Sequence, residues 1–206
     1  MKMSIFASTV LANLLLASLT ALSQEQVQAP AFRDGDFWQF KVTEKGFIGS
    51  SSETGDAIIE VAYAQGDIKI FRVLSDRKEE YDRKAPIPVR PLLELSKEHI
   101  DLKFPFAVGQ KWDYEYTFRP RGAKRDNRVS VEIQVKGSES VTTPAGSFIA
   151  LRMHKDESWA RPQGGHVSQV TTYFYSAQTR SVVKSLMESQ DGARREIELI
   201  KYGALR

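Results

Sequence analysis

The chain is expected to be mainly β: an antiparallel curved sheet or half-barrel of about ten strands, carrying an internal repeat and at most one short helix. Three observations predict this. From Asp34 onward, short runs rich in Val, Ile, Thr, Tyr and Phe alternate apolar with polar positions, the period of a half-buried strand. Gly, Pro, Asp and Asn bound those runs, while helical periodicity is weak throughout. The third observation is that the first part of the pattern recurs further along the chain.

Strands are expected near residues 37–42, 57–63, 67–74, 112–118, 128–136, 148–154, 167–175, 182–188 and 194–202. Gly66-Asp67 and Asp191-Gly192 are short hairpin signals. Pro144-Ala145-Gly146 combines a fixed φ with a permissive glycine, as a turn into Phe148 requires. Strands joined by such turns form a meander. Residues 76–106 differ: a charge run, Asp76-Arg77-Lys78-Glu79-Glu80, precedes Pro86, Pro88 and Pro91, which a central strand would not tolerate. This stretch reads as a connection between halves at 34–75 and 107–206, with room for one short helix over 92–100.

The repeat aligns Gly35-Asp36-Phe37-Trp38-Gln39-Phe40-Lys41-Val42 with Gly109-Gln110-Lys111-Trp112-Asp113-Tyr114-Glu115-Tyr116. Each has a glycine, a Trp three residues on, then large residues at every second place. Ile59-Glu60-Val61 then matches Val131-Glu132-Ile133, and Phe71-Arg72-Val73 matches Leu151-Arg152-Met153.

Ahead of the domain, Lys2 precedes an acid-free, largely apolar stretch over 5–22 and then the polar Gln24-Glu25-Gln26. That order is expected of a secretion signal over residues 1–23, cleaved after Ser23, with Ala21 and Ser23 as the small residues before the cut. Ser, Thr and Asn dilute the stretch too much for a permanent span. A flexible leader is expected over 24–33 and a single β domain over 34–206. The chain has no cysteine, so burial must stabilise the fold, and a bacterial periplasmic or secreted location is favoured over a disulfide-rich eukaryotic one. Loss of residues 1–23 removes Lys2 and no acid, so the formal charge falls only from +3 to +2. A near-neutral domain does not call for a nucleic-acid partner.

Three motifs follow in order: Val108-Gly109-Gln110-Lys111-Trp112, then Val141-Thr142-Thr143-Pro144-Ala145-Gly146-Ser147-Phe148, then Tyr173-Phe174-Tyr175-Ser176 leading to Val182-Val183-Lys184. Over about residues 105 to 202 they resemble uncharacterised bacterial exported β domains with V-G-x-x-W, V-T-x-P-A-G-x-F and Y-W-Y-S…V-V-K motifs. Such domains are similar to curved sheets of the lipoprotein-carrier kind, which implies an apolar-ligand surface. The chain departs from the pattern at Phe174, where Trp is usual, and at Arg180, where Gly often closes the turn.

Candidate chemistry is sparse. No Gly-x-Ser-x-Gly elbow occurs, and Gly137-Ser138-Glu139-Ser140, expected as a turn, has no histidine close in sequence. No converging catalytic set can be named, and neither a cofactor nor a metal is expected. His154, Asp156, Glu157 and His166 gather around an expected loop over 155–165; if the flanking strands pair as a hairpin, the two histidines flank one mouth and could bridge a divalent metal, but a solvated loop with two ordinary histidines is the favoured reading. Trp159 falls on the same loop, where it could meet a ligand or fold back over the sheet. Trp38, Phe40, Trp112, Tyr114 and Tyr116 alternate and so can share a face, either as ordinary core or as an open apolar groove. Arg119, Arg121, Lys124, Arg125 and Arg128 form a basic loop that could meet an anionic surface or simply keep the loop in water. The expected function is therefore non-catalytic: binding of a lipid or other apolar small molecule, or docking of an envelope protein through edge strands and the basic loop.

Overall fold

The computed structural model describes residues 26–46, 55–80, 101–118, 126–160 and 164–204. Their strands are β1 (Asp36–Lys45), β2 (Gly55–Ala64), β3 (Asp67–Val73), β4 (Lys78–Glu80), β5 (Lys111–Phe118), β6 (Asn127–Thr143), β7 (Gly146–Ala160), β8 (His166–Ser176), β9 (Ser181–Ser189) and β10 (Arg194–Ala204). They form one open curved antiparallel sheet in the order β4-β3-β2-β1-β10-β9-β8-β7-β6-β5. Among the described residues no helix occurs. The helix expected over 92–100 and the signal over 1–23 lie outside them.

Alternation dictates most of this arrangement. Along β1, Asp36, Trp38, Phe40 and Val42 are buried and the residues between them are partly exposed, so one face seeks cover. Consecutive strands pair as a meander, but β1 also pairs with β10, Phe40 facing Leu199 and Val42 facing Ile197. The first strand thus sits mid-sheet beside the last. The chain runs outward through β2, β3 and β4, reappears at the far edge as β5, and returns strand by strand to β10.

Several local expectations need correction. The β2–β3 turn is Gln65-Gly66, one residue earlier than the Gly66-Asp67 signal, since Ala64 pairs with Asp67. Both turn residues have positive φ, 56° and 76°, which matches the twist of a two-residue hairpin. Residues 138–140 are in β6, not in a turn, and 155–160 extend β7 rather than forming a loop. The long β6–β7 hairpin bends at a bulge between Val135 and Gly137. Its tip reaches back across the sheet, where Ala145 N donates to Leu199 O at 3.2 Å and the Phe148 ring meets Tyr202 at 5.9 Å. The Pro144-Ala145-Gly146 motif therefore supplies a tertiary contact as well as a turn.

The repeat is visible in register. Trp38 faces Val61 and Phe40 faces Ile59, as Trp112 faces Ile133 and Tyr114 faces Val131. It stops there: Arg72 faces Ile59 in β2, whereas Arg152 faces Gly137 beyond the bulge of β6.

Two non-strand segments cover the buried face. Residues 26–33, expected as a flexible leader, lie across the sheet, with Phe32 edge-on to Trp38 at 5.2 Å. Residues 101–110 cross beside them and bury Leu102 and Phe106. Val27 and Phe106 exchange two backbone hydrogen bonds of 2.8 and 3.1 Å, which joins the segments.

Candidate functional site

The aromatic residues predicted to share a face do share one, with unequal cover. Trp38, Phe40 and Trp112 are buried beneath the crossing segments. Phe106 stacks on Trp112 at 6.3 Å and meets Tyr175 edge-on at 5.4 Å. The Trp38 indole N–H donates to Thr179 O at 2.7 Å, so its polar handle is satisfied. Toward the other end of the sheet, Tyr114, Tyr116 and Trp159 are only partly buried against the same core. Tyr116 faces Val129, which faces Trp159 on the other side. Trp159 thus lies on β7 across one strand from Tyr116, and Tyr114 stacks on Tyr116 at 6.2 Å.

Behind these rings is a buried polar network that the sequence reading missed. Alternation through Met153, Lys155, Glu157 and Trp159 turns all four toward the core face, so an ammonium and a carboxylate project where apolar residues are usual. The crossing segment adds Asp101, which is 2% exposed, against 6% for each of Lys155, Glu157 and Tyr173. Lys155 Nζ lies 2.9 Å from Asp101 and 3.2 Å from Glu157. Tyr173 donates its hydroxyl to Asp101 at 2.9 Å, and Tyr114 donates to the other oxygen of the same carboxylate. Glu157 accepts from Tyr116 at 3.1 Å and from Gln169 at 2.8 Å. Two carboxylates share one ammonium, and phenols and an amide complete their shells.

The electrostatics follow from that count. Burial disfavours the Lys155 ammonium, but Asp101 and Glu157 outweigh burial and raise its pKa. Burial, reinforced by the same carboxylates, pushes the Tyr114, Tyr116 and Tyr173 phenols up. Both shifts favour the charged lysine and the neutral phenols, so the ammonium and the hydroxyls act as donors to the two carboxylates. The clue in the sequence was the inward period continuing through Lys155 and Glu157, and nothing in it pointed to Asp101.

A second junction closes the opposite end. Arg180 adopts φ 59°, the left-handed conformation that a glycine at this turn would take. Its guanidinium lies 2.7 Å from Asp36, donates to Ala31 O at 2.7 Å and sits 5.9 Å from the Trp38 ring. The departure from the glycine pattern leaves the turn intact and adds a tie to residues 26–33. Arg180 lowers the Asp36 pKa.

Other candidates separate. His154 faces Thr172 whereas His166 faces Ala160, six positions apart along β7 and so roughly 20 Å. They do not flank one mouth; His154 lies 3.5 Å from Asp156 instead, and Glu157 belongs to the buried network. Among the described residues no group of three His, Cys, Asp or Glu is placed to hold a metal ion. Arg119, Arg121, Lys124 and Arg125 lie outside the described residues. Arg128 is exposed and donates to Glu115 across the β5–β6 ladder at 2.9 Å.

No family model matches the chain, and no curated protein does. Among solved structures, a candidate lipoprotein from Parabacteroides distasonis aligns at a TM-score of 0.47 and 9% identity, over 83% of this chain and 96% of its own. The hypothetical lipoprotein YmcC from Escherichia coli aligns at 0.45 and 12%, over 82% and 86%. A candidate exported protein with a YmcC-like fold from Bacteroides fragilis aligns at 0.42 and 10%, over 83% and 96%. At these TM-scores the likenesses carry no functional argument.

Proposed function

We propose that this chain is an exported, non-catalytic envelope protein that holds a lipid or another apolar ligand against the inner face of its sheet. The ligand enters at the end marked by Tyr114, Tyr116 and Trp159. The observation that carries this reading is the difference between the two ends of one aromatic face. Trp38, Phe40 and Trp112 are sealed by the chain's own segments, whereas the three rings at the other end keep solvent contact. A partly open apolar surface with a few converging polar groups behind it is the usual form of a ligand site. Export is supported by the cation, apolar stretch and small residues over 1–23. Among the described residues no helix is long and apolar enough to cross a membrane.

The test uses a neutral brominated acylglycerol as a contact quencher of indole emission. Wild-type protein is expected to show saturable quenching that Trp159→Phe largely removes, because Trp38 and Trp112 are covered. Absence of saturable quenching, or quenching that persists unchanged in Trp159→Phe, contradicts the proposal.

A further inference from the structure

The buried network divides into two parts with different origins. Lys155 and Glu157 belong to β7 and form a neutral pair at 3.2 Å. Asp101 comes from the crossing segment and brings one additional negative charge. Without it the sheet still presents Lys155 Nζ and the hydroxyls of Tyr114 and Tyr173, three donors from β7, β5 and β8 that converge on one carboxylate. Lys155 and Tyr173 are each more than nine-tenths buried. Such a set is a receptor for a carboxylate, since charge-assisted donors that are fixed and desolvated bind an anion far more strongly than surface groups do. Glu157 does not prevent this, because Asp101 already occupies the position with Glu157 in place. Immediately after Asp101 the same segment inserts Leu102 and Phe106 into the core, so a head and an apolar tail enter together.

The geometry points to Asp101 and the residues after it as an internal stand-in for a ligand with a carboxylate head and an apolar chain, such as a long-chain fatty acid. When the segment lifts, the head of that ligand takes the place of the Asp101 carboxylate and its chain takes that of Leu102 and Phe106. This rests on the apolar-ligand reading above and names its ligand class. The chemistry behind it is complementarity: the donors match a planar anion, and the surroundings match hydrocarbon. A neutral apolar molecule in that place would leave the Tyr114 and Tyr173 hydroxyls without their acceptor and the Lys155 ammonium with Glu157 alone, which disfavours it there.

The experiment compares cis-parinaric acid with its methyl ester on the processed full chain. Asp101→Ala removes the internal carboxylate and keeps all three donors. The variant is expected to bind the acid at least tenfold more tightly than wild type and to leave ester binding within about twofold. Lys155→Met added to Asp101→Ala should erase the preference. Equal gains for acid and ester, or no gain for the acid, overturn the inference. A second measurement needs only the wild-type chain: saturating hexadecanoate should speed hydrogen exchange at the Phe106 and Gly109 amides, which donate to Val27 and Val135. Unchanged exchange with the acid bound overturns the inference as well. The two readings fail separately, for if the neutral brominated lipid quenches Trp159 while the acid shows no advantage, only the carboxylate assignment falls.

Discussion

Lys155 and Asp101 occupy one network, yet removing each should have a different consequence, because burial makes charge balance decisive. Lys155→Met leaves Asp101 and Glu157 buried with no cation, a break that costs about 3–5 kcal/mol. Asp101→Asn leaves the Lys155–Glu157 pair neutral and trades one charged acceptor for an amide, at about 1–2 kcal/mol. Urea denaturation of both variants should show Lys155→Met as clearly the less stable; equal costs would mean that the network is solvated. Arg180 offers a test in pH. Its guanidinium holds the Asp36 carboxyl below the ordinary value of 3.8, so the stabilisation is fully present above that value and is lost as pH falls through the lowered one. Arg180→Gly suits the left-handed turn but removes the ion pair. The stability gap between wild type and variant should therefore be wider at about pH 7 than at about pH 2.5, and a gap independent of pH would contradict the assignment. Among single residues, the large alternating aromatics were legible in the sequence. Asp101 was not, since its partners lie 13, 54 and 72 positions away.

Strands were the most legible elements, because a period of two survives in any half-buried sheet. Their lengths were less so. β7 continues to Ala160 with Lys155 and Glu157 pointing inward, and a reading that expects apolar residues at such places stops at His154. β4, only three exposed charged residues long, has no pattern to detect. The open edge at β5 shows how charge protects a strand. Lys111, Asp113, Glu115 and Thr117 are its exposed positions, and antiparallel pairing of two copies centred on Tyr114 would set Asp113 against Glu115. Like charges directly opposite oppose such pairing. Replacing both by Thr should let the edge pair, and size-exclusion chromatography should show dimers or larger species at concentrations where wild type shows none. A wild-type-like elution profile would locate the protection elsewhere.

At the scale of the whole molecule, the sheet is organised by a pairing no local signal announces: β1 beside β10, fourth and fifth in the row of ten strands. Hairpin turns predict neighbours in sequence, whereas this contact joins residues 149 to 168 positions apart, from Lys45–Arg194 to Asp36–Ala204. It also places Trp38 and the tip of the β6–β7 hairpin over one core, with residues 26–33 and 101–110 laid across it. The cover was illegible for a similar reason, since neither segment has strand or helix periodicity. The face it covers could be predicted, and what covers it could not. The partly exposed end of that face, at Tyr114, Tyr116 and Trp159, is the part proposed to receive an apolar molecule. Native mass spectrometry of the protein extracted gently from the envelope tests this most directly. A population heavier than the processed chain is expected, whose extra mass disappears on organic extraction and is displaced by an apolar dye. A single mass equal to the bare chain, with no dye bound, would contradict it.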